Sequence, residues 1–175
     1  EDNPYYSRDG NSEITVSLDK QKYQPTDTAK VSVSSYIPDR DVFLSLERGR
    51  MDRFKVVHLN GKSGSVEIPL ISSDVPNMVA QVSSFDDNQL NENQINISVS
   101  SEDRKVVVKI NPNSKKFGPG ETVNLDIETQ DTSGNPLSAE VAVWSVDKAI
   151  FELTDNNLGD IFKVFWQERS DTTQG

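Results

Sequence analysis

The sequence predicts an all-β protein built from tandem antiparallel β-sandwiches. Apolar and polar residues alternate with period two through most of the first hundred residues, as they do on strands that bury one face. Turn-forming pairs such as Asn60 and Gly61 separate these runs. A turn sequence near the start of the chain also recurs further along it. Together these observations predict two successive sandwiches of immunoglobulin or fibronectin type III character.

Residues 13–101 carry enough short strands for one complete two-sheet sandwich. Residues 1–12 are polar, and we interpret them as a leader or linker. The Asp- and Asn-rich stretch 86–93 is expected to be a loop before the last strand. The seven predicted strands are centred on Ile14–Leu18, Val31–Val33, Val42–Leu46, Phe54–His58, Ser65–Leu70, Met78–Val82 and Ile95–Val99.

Residues 102–175 are predicted to be the N-terminal part of a second sandwich of the same kind. The turn Lys115–Thr122 repeats the turn Lys20–Thr28 at an offset of about 94 residues, which indicates two copies of one domain. In this repeat Phe117 corresponds to Tyr23, Pro119 to Pro25 and Thr122 to Thr28.

The second copy contains fewer strands than the first. Alternation predicts strands at Val106–Ile110, Val123–Ile127 and Ala139–Val146, and then only the apolar segment Ile161–Trp166 remains. Three strands leave an apolar face and strand edges uncovered. We therefore expect residues 102–175 to be an incomplete domain whose exposed face can form a non-native dimer, and Ile161–Trp166 to pack back onto the protein.

Composition narrows the function classes. The chain has 175 residues with a net charge of −10, and its pI is about 4.6. An acidic surface disfavours nucleic acid, because phosphate contacts need a basic face. Hydrophobic residues make up 34% and charged residues 26%, and the mean hydropathy is −0.59, as in a globular protein with a wet surface. The apolar runs are too short for a transmembrane helix.

The sequence offers no pattern typical of catalysis or metal binding. It has no cysteine, and His58 is its single histidine, placed where it continues the alternation of a strand. No serine or threonine has a histidine partner in an evident motif. We predict no catalytic, cofactor or metal site, and no enzymatic activity. Asn96 lies in a glycosylation-acceptor pattern that often occurs by chance. We interpret the neighbouring charges Glu47–Arg48 and Glu168–Arg169 as solvated strand ends or local ion pairs.

Several motifs in the second half resemble one segment of the bacterial α2-macroglobulin family. They are Gly134–Pro136, the run Ala139–Val143, Ser145–Ala149 and Phe165–Thr172. Upstream, Tyr23-Gln24-Pro25 resembles the Tyr-x-Pro-Gly turn of that family, with Thr26 in place of the glycine. The resemblance implies two consecutive macroglobulin-like domains, the second interrupted by a protease-sensitive bait segment. Its implied structural landmarks are Tyr23, Pro25, Phe117, Pro119, Trp144 and Asp147.

The resemblance implies a structural fragment of a broad-spectrum endopeptidase inhibitor that traps proteases after its bait is cleaved. Implied partners are endopeptidases, met through the full-length parent, and other macroglobulin-like domains of the same chain. The implied location is the periplasm or cell surface, with a parent that can be lipid-anchored. Many relatives carry a Cys-Gly-Glu-Gln thioester, which these cysteine-free residues lack. The residues expected beside the bait are Arg169, Ser170, Asp171, Thr172 and Thr173.

A second interpretation belongs to a different functional class. Acidic, cysteine-free sandwich repeats are also typical of cell-surface adhesins and carbohydrate-binding modules, and the first domain alone suits either class. The incomplete second domain distinguishes them, because an adhesin repeat should complete its strands whereas a bait-interrupted domain should not.

Overall fold

The computed structural model of the chain describes residues 13–86, 89–146 and 159–170. These residues form two compact units. The first contains residues up to Ser100 and again from Trp166, and the second is Ser101–Phe165. The predicted domain division near residue 102 lies beside this boundary. The prediction differs in the last residues, from Trp166 onward, which group with the first unit instead of the second.

The first unit is an antiparallel sandwich of two sheets, which confirms the predicted fold class. Its strands are β1 (Ile14–Leu18), β2 (Thr28–Ser35), β3 (Asp41–Glu47), β4 (Met51–His58), β5 (Ser63–Pro69), β6 (Asn77–Asp86) and β7 (Gln89–Ser98). One sheet has the order β1-β2-β5 and the other the order β4-β3-β6-β7. This is a seven-stranded sandwich of the immunoglobulin and fibronectin type III kind.

The core follows directly from the alternation in the sequence. On β2, Val31 and Val33 are buried whereas Lys30 and Ser34 are exposed. The facing sheet contributes buried aliphatic residues in the same way, including Leu44 on β3. Each such side chain stabilises the fold by about 1.5–3 kcal/mol relative to an exposed one. The predicted turn at Asn60 and Gly61 is also present: Gly61 has φ of +63°, and an Asn60–Ser63 bridge closes the turn.

The predicted loop at residues 86–93 is wrong for most of its length. Strands β6 and β7 form a long hairpin whose pairing extends to Asp86 and Gln89. Asn93, expected in the loop, is buried on β7, where its side-chain amide donates a 2.7 Å hydrogen bond to the carbonyl of Ile14. Polar composition suggested a loop, but an asparagine that finds a backbone partner is tolerated inside a sheet.

The second unit contains a two-stranded antiparallel sheet, β8 (Val107–Pro112) with β9 (Leu125–Gln130). Its register places Val108, Ile110, Ile127 and Leu125 on one face, and all four are exposed by 38% or more. The opposite face is polar, with Lys109 directly across from Glu128. The expected uncovered apolar face is therefore present among the described residues of this unit.

The predicted third strand at Ala139–Val146 does not form in the structure. After β9 the chain turns at Asp131–Asn135, and the backbone N–H of Leu137 donates to the carbonyl of Thr129 at 2.9 Å. Beyond this point residues 138–146 belong to no strand. A strand needs a neighbour along its whole length to satisfy its backbone groups, and within the described residues the pairing with β9 ends at Leu137.

The turn after β9 is held by one carboxylate. Asp131 accepts hydrogen bonds from the backbone N–H groups of Ser133 and Asn135 and from the Asn135 side chain. The bond from the Asn135 side chain is the main cause that lowers the pKa of Asp131 below its ordinary value. Gly134 supplies the positive φ of this turn, at +89°.

A single turn of helix, α1 (Ile161–Phe165), follows later in the second unit. Ile161, Val164 and Phe165 remain exposed on it. The next residue, Trp166, packs against the core of the first unit, so the prediction that Ile161–Trp166 packs back is confirmed at Trp166. Of the helices in the described ranges, none has the length and apolar character needed to cross a membrane.

Candidate functional site

The candidate site is the segment 166–170, which we call the docked segment, together with the surface of the first sandwich that holds it. It contains Arg169 and Ser170, the first two residues predicted to lie beside a bait. The other three, Asp171, Thr172 and Thr173, lie outside the described residues. The structure therefore describes the upstream end of the predicted site.

Asn77 is the central contact of the docked segment. Its side chain is only 1% exposed, at the first position of β6. The Arg169 N–H donates to Asn77 Oδ1 at 2.9 Å, and Asn77 Nδ2 donates to the Arg169 carbonyl at 2.9 Å. One amide side chain thus satisfies both backbone groups of Arg169, as a neighbouring strand would.

Asn96 and Trp166 add two further contacts. The side-chain nitrogen of Asn96 donates to the Glu168 carboxylate at 2.9 Å, and Asn96 Oδ1 accepts a 2.6 Å hydrogen bond from Asn77 Nδ2. Trp166 is half-buried against the core of the sandwich. The docked segment is therefore held through a backbone pair, a carboxylate and an indole.

Asn77 is itself held in place by Arg48, at the end of β3. The Arg48 guanidinium donates to the carbonyl oxygens of Ser73, Val75 and Asn77 at 2.6, 2.9 and 3.3 Å. The Val75–Pro76 peptide bond within this loop is cis. Arg48, which the sequence suggested to be a solvated strand end, instead fixes the backbone from which Asn77 projects.

Tyr23 and Pro25, the landmarks in the first sandwich, are both buried. The backbone of Tyr23 joins β7, because its N–H donates to Ser98 at 2.9 Å and its carbonyl accepts from Ser100 at 2.7 Å. Its hydroxyl donates to Asp19 at 2.8 Å. Burial, reinforced by this bond to a carboxylate, raises the pKa of Tyr23 well above its ordinary value.

The pKa of Asp19 shifts in the opposite direction. Burial raises its pKa, but the hydrogen bonds donated by the Tyr23 hydroxyl and the Lys30 N–H stabilise its charged form. These bonds together outweigh burial, so the pKa of Asp19 lies below its ordinary value. Asp19 and Tyr23 therefore form a structural pair, whose role is to fix the turn before β2.

The landmarks of the second unit lie in a different environment. Phe117 is 37% exposed and Trp144 is 65% exposed, although the repeat made Phe117 the counterpart of the fully buried Tyr23. Pro119 is exposed in the turn between β8 and β9. Asp147 lies outside the described residues. The architectural roles of these four residues stay predictions.

The described residues hold no group of three or more acidic or histidine side chains that could bind a metal. His58 is exposed, and its Nδ1 lies 2.8 Å from Oδ1 of Asp41 on the neighbouring strand β3. His58 and Asp41 therefore form a pair of exposed side chains on the surface of the sheet. The chemistry that the candidate site offers is peptide binding through amide hydrogen bonds.

Sequence reasoning missed the two asparagines that form the site. Nothing in the sequence marks Asn77 as a binding residue, and Asn96 appears only as a chance glycosylation acceptor, whose nitrogen the structure shows donating to Glu168. Their partners lie 92 and 72 residues away along the chain, beyond the reach of any local pattern. The one usable signal was Trp166, an apolar side chain too large to be left in a polar tail.

The fold and the site define an all-β scaffold that holds a segment of its own chain. A family model described as the alpha-2-macroglobulin bait region domain matches residues 14–153. The match spans more than half of the chain, and the chain therefore belongs to the alpha-2-macroglobulin bait region domain family. The match ends upstream of the docked segment.

Two curated relatives with alpha-2-macroglobulin names agree with this assignment. The chain is 19% identical over 175 residues to an alpha-2-macroglobulin homolog of Nostoc sp., covering 92% of this chain and 9% of the relative. It is 25% identical over 175 residues to an alpha-2-macroglobulin of Ralstonia nicotianae, covering 94% and 11%. It is also 21% identical over 160 residues to the circularly permutated Ras protein 2 of Dictyostelium discoideum, covering 90% and 4%.

The fold is similar to part of a solved structure, the native conformation of E. coli alpha-2-macroglobulin. The TM-score is 0.52 at 13% identity, covering 91% of this chain and 11% of that one. At this identity the similarity supports the fold alone. The chain spans about a tenth or less of the length of these relatives.

Proposed function

We propose that this chain is a structural part of an alpha-2-macroglobulin-like inhibitor of endopeptidases. In this proposal the full-length protein presents a bait, is cleaved in it, and changes shape so that it entraps or hinders the attacking peptidase. The chain supplies scaffold, catalyses no reaction and inhibits no peptidase alone. The observation that carries the proposal is the family match over residues 14–153.

The bait itself is proposed to begin beside Arg169–Thr173. A peptidase must draw about eight to ten extended residues through its cleft, so a bait has to open locally at little cost. The docked segment supports this position, because a bait is most useful when its upstream end is fixed to a folded domain. Arg169 and Ser170 lie at the end of that fixed segment.

The partners of the full-length protein follow from the same proposal. They are endopeptidases and further macroglobulin-like domains of the same chain, and the apolar face of β8 and β9 is a surface that such a domain can cover. We further propose, as the resemblance to the bacterial family implies, that the parent lies in the periplasm or at the cell surface and can be lipid-anchored. Two of the curated relatives described above bear alpha-2-macroglobulin names, which favours this function over an adhesin.

The test is an entrapment assay with the full-length protein. Endopeptidases of unrelated specificity are incubated with it and then assayed on a large protein substrate and on a small chromogenic peptide. Entrapment predicts that hydrolysis of the large substrate falls while hydrolysis of the small one is retained. The 175-residue chain alone is the control and should change neither. Undiminished hydrolysis of the large substrate by every enzyme would contradict the proposal.

A further inference from the structure

The outer face of the four-stranded sheet is unusually well covered where the docked segment lies. Alternation along β6 and β7 puts Met78, Ala80 and Ile97 into the core, so Asn77, Val79 and Asn96 belong to the outer face. Outer-face residues of a two-sheet sandwich are ordinarily wet. Asn77 and Val79 are nevertheless buried, and Arg169 is hydrogen-bonded directly to Asn77.

Asn77 binds peptide backbone and is indifferent to the side chain it holds. Both of its bonds to Arg169 go to the main-chain N–H and carbonyl. Its amide orientation is fixed because the second hydrogen on Nδ2 is donated to Asn96 Oδ1. When the peptide leaves, the buried Asn77 amide loses its hydrogen-bond partners, and this loss costs free energy.

The register of the bound peptide is set by its other two contacts. Asn96 selects an acidic residue immediately before the clamped position, and the core surface selects an indole three residues before it. The docked segment has this pattern, with Trp166, Glu168 and Arg169. The other tryptophan, Trp144, is followed two residues later by Val146, whose side chain cannot accept a hydrogen bond from Asn96.

We propose that Asn77 and Asn96 form a peptide-binding site on the outer face of the first sandwich, specific for a Trp-x-Glu-x segment. The site holds the docked segment of the same chain and protects the bond after Arg169 from peptidases. The proposal rests on the contacts of the first unit alone, and it holds whether or not the full-length protein inhibits endopeptidases.

The protection follows from local opening. Trypsin-like enzymes cut after arginine, yet they accept only extended segments freed from their neighbours. Freeing Arg169 breaks two backbone hydrogen bonds to a buried amide and uncovers Trp166. Cleavage by a protease at limiting concentration tracks the population of the open form. Loss of two net hydrogen bonds corresponds to about a tenfold or greater rise in that population.

The experiment is limited proteolysis of the whole chain with trypsin, read by mass spectrometry. In the unsubstituted 175-residue chain, cleavage after Arg169 should be slower than cleavage after Lys115 or Lys116, which lie exposed in the β8–β9 turn. Asn77→Ala should speed cleavage after Arg169 about tenfold while leaving the cuts after Lys115 and Lys116 unchanged. Asn96→Ala should act in the same direction by a few-fold. Gln81→Ala, on the same face of β6 but bonded to Glu92, is the matched control and should change nothing.

A second readout follows Trp166 directly and covers the case in which Asn77→Ala destabilises the sandwich. In a Trp144→Phe background, Trp166 is the single tryptophan, and its emission should shift to the red in Asn96→Ala and Glu168→Ala. Asn96 and Glu168 are exposed, so these variants are expected to keep the fold. The proposal is overturned if the unsubstituted chain is cut after Arg169 as fast as after Lys116. It is also overturned if these variants change neither the cleavage rate after Arg169 nor the emission of Trp166.

Discussion

Tyr23 joins the turn before β2 to the last strand of the first sandwich. Its backbone pairs with Ser98 and Ser100, and its hydroxyl donates to Asp19 while accepting from the Lys20 N–H. A buried phenol of this kind contributes both apolar area and hydrogen bonds. The two contributions can be separated, because removing the oxygen leaves the ring in place.

Tyr23→Phe should lower the free energy of unfolding by about 1 kcal/mol, the net value of one intramolecular hydrogen bond. Tyr36→Phe is the matched control, because Tyr36 is 76% exposed and should change stability by less than about 0.5 kcal/mol. Urea unfolding followed by circular dichroism measures both. Equal effects of the two substitutions would show that the hydroxyl of Tyr23 adds nothing to the turn.

The Asp19 carboxylate makes part of the stability depend on pH. Its pKa is lowered in the folded state, so its contribution is present above the unfolded pKa of 3.8 and is lost as the pH falls through the folded value. Asp19→Asn keeps an oxygen that can accept from Tyr23 and Lys30 but does not titrate. As the pH falls from about 5 to about 2, the variant should therefore lose less stability than the unsubstituted chain. Urea unfolding across that range is the measurement, and identical acid dependence would contradict this role of Asp19.

At the scale of elements, the two-stranded sheet of the second unit has one face that is both apolar and exposed. Val108, Ile110, Leu125 and Ile127 lie together on that face. Clustered apolar surface of this kind marks an interaction site or an aggregation hazard. This face is therefore the surface through which we expect a non-native dimer to form.

Ile110→Lys should weaken self-association of the isolated chain, because it places a charge in the centre of the apolar face. Lys109→Gln, on the polar face of the same strand, is the control and should leave association unchanged. Sedimentation velocity over a range of concentrations measures the effect. A chain that stays monomeric at every concentration, with or without the substitution, would remove this expectation.

Elements were predictable from the sequence where one face of a strand meets a core. Val31, Val33 and their neighbours repeat every second residue, so all seven strands of the first sandwich were found. Ala139–Val146 shows the same alternation, yet pairing with β9 ends at Leu137, because alternation states which residues can be buried and not whether a partner strand is present. The docked segment had no periodic signal, since Asn77 and Asn96 act through single side chains on distant backbone.

At the scale of the whole molecule, the first sandwich does more than pack its own strands. The chain leaves it at Ser100 and rejoins it at Trp166, where the docked segment covers part of its outer face. The sequence predicted a sandwich and a segment that packs back. It could not predict that the two meet through Asn77, because the contact spans 92 residues and depends on the completed fold.

The most direct test of the account is to locate where unrelated endopeptidases first cut the full-length protein. Brief digestion with enzymes of different specificity, followed by N-terminal sequencing of the new fragments, gives these positions. The account predicts that every enzyme first cuts within one short stretch that starts after Ser170, and that the bond after Arg169 stays intact. First cuts scattered through the protein, or located within residues 13–165, would contradict both the bait position and the role of this chain as its scaffold.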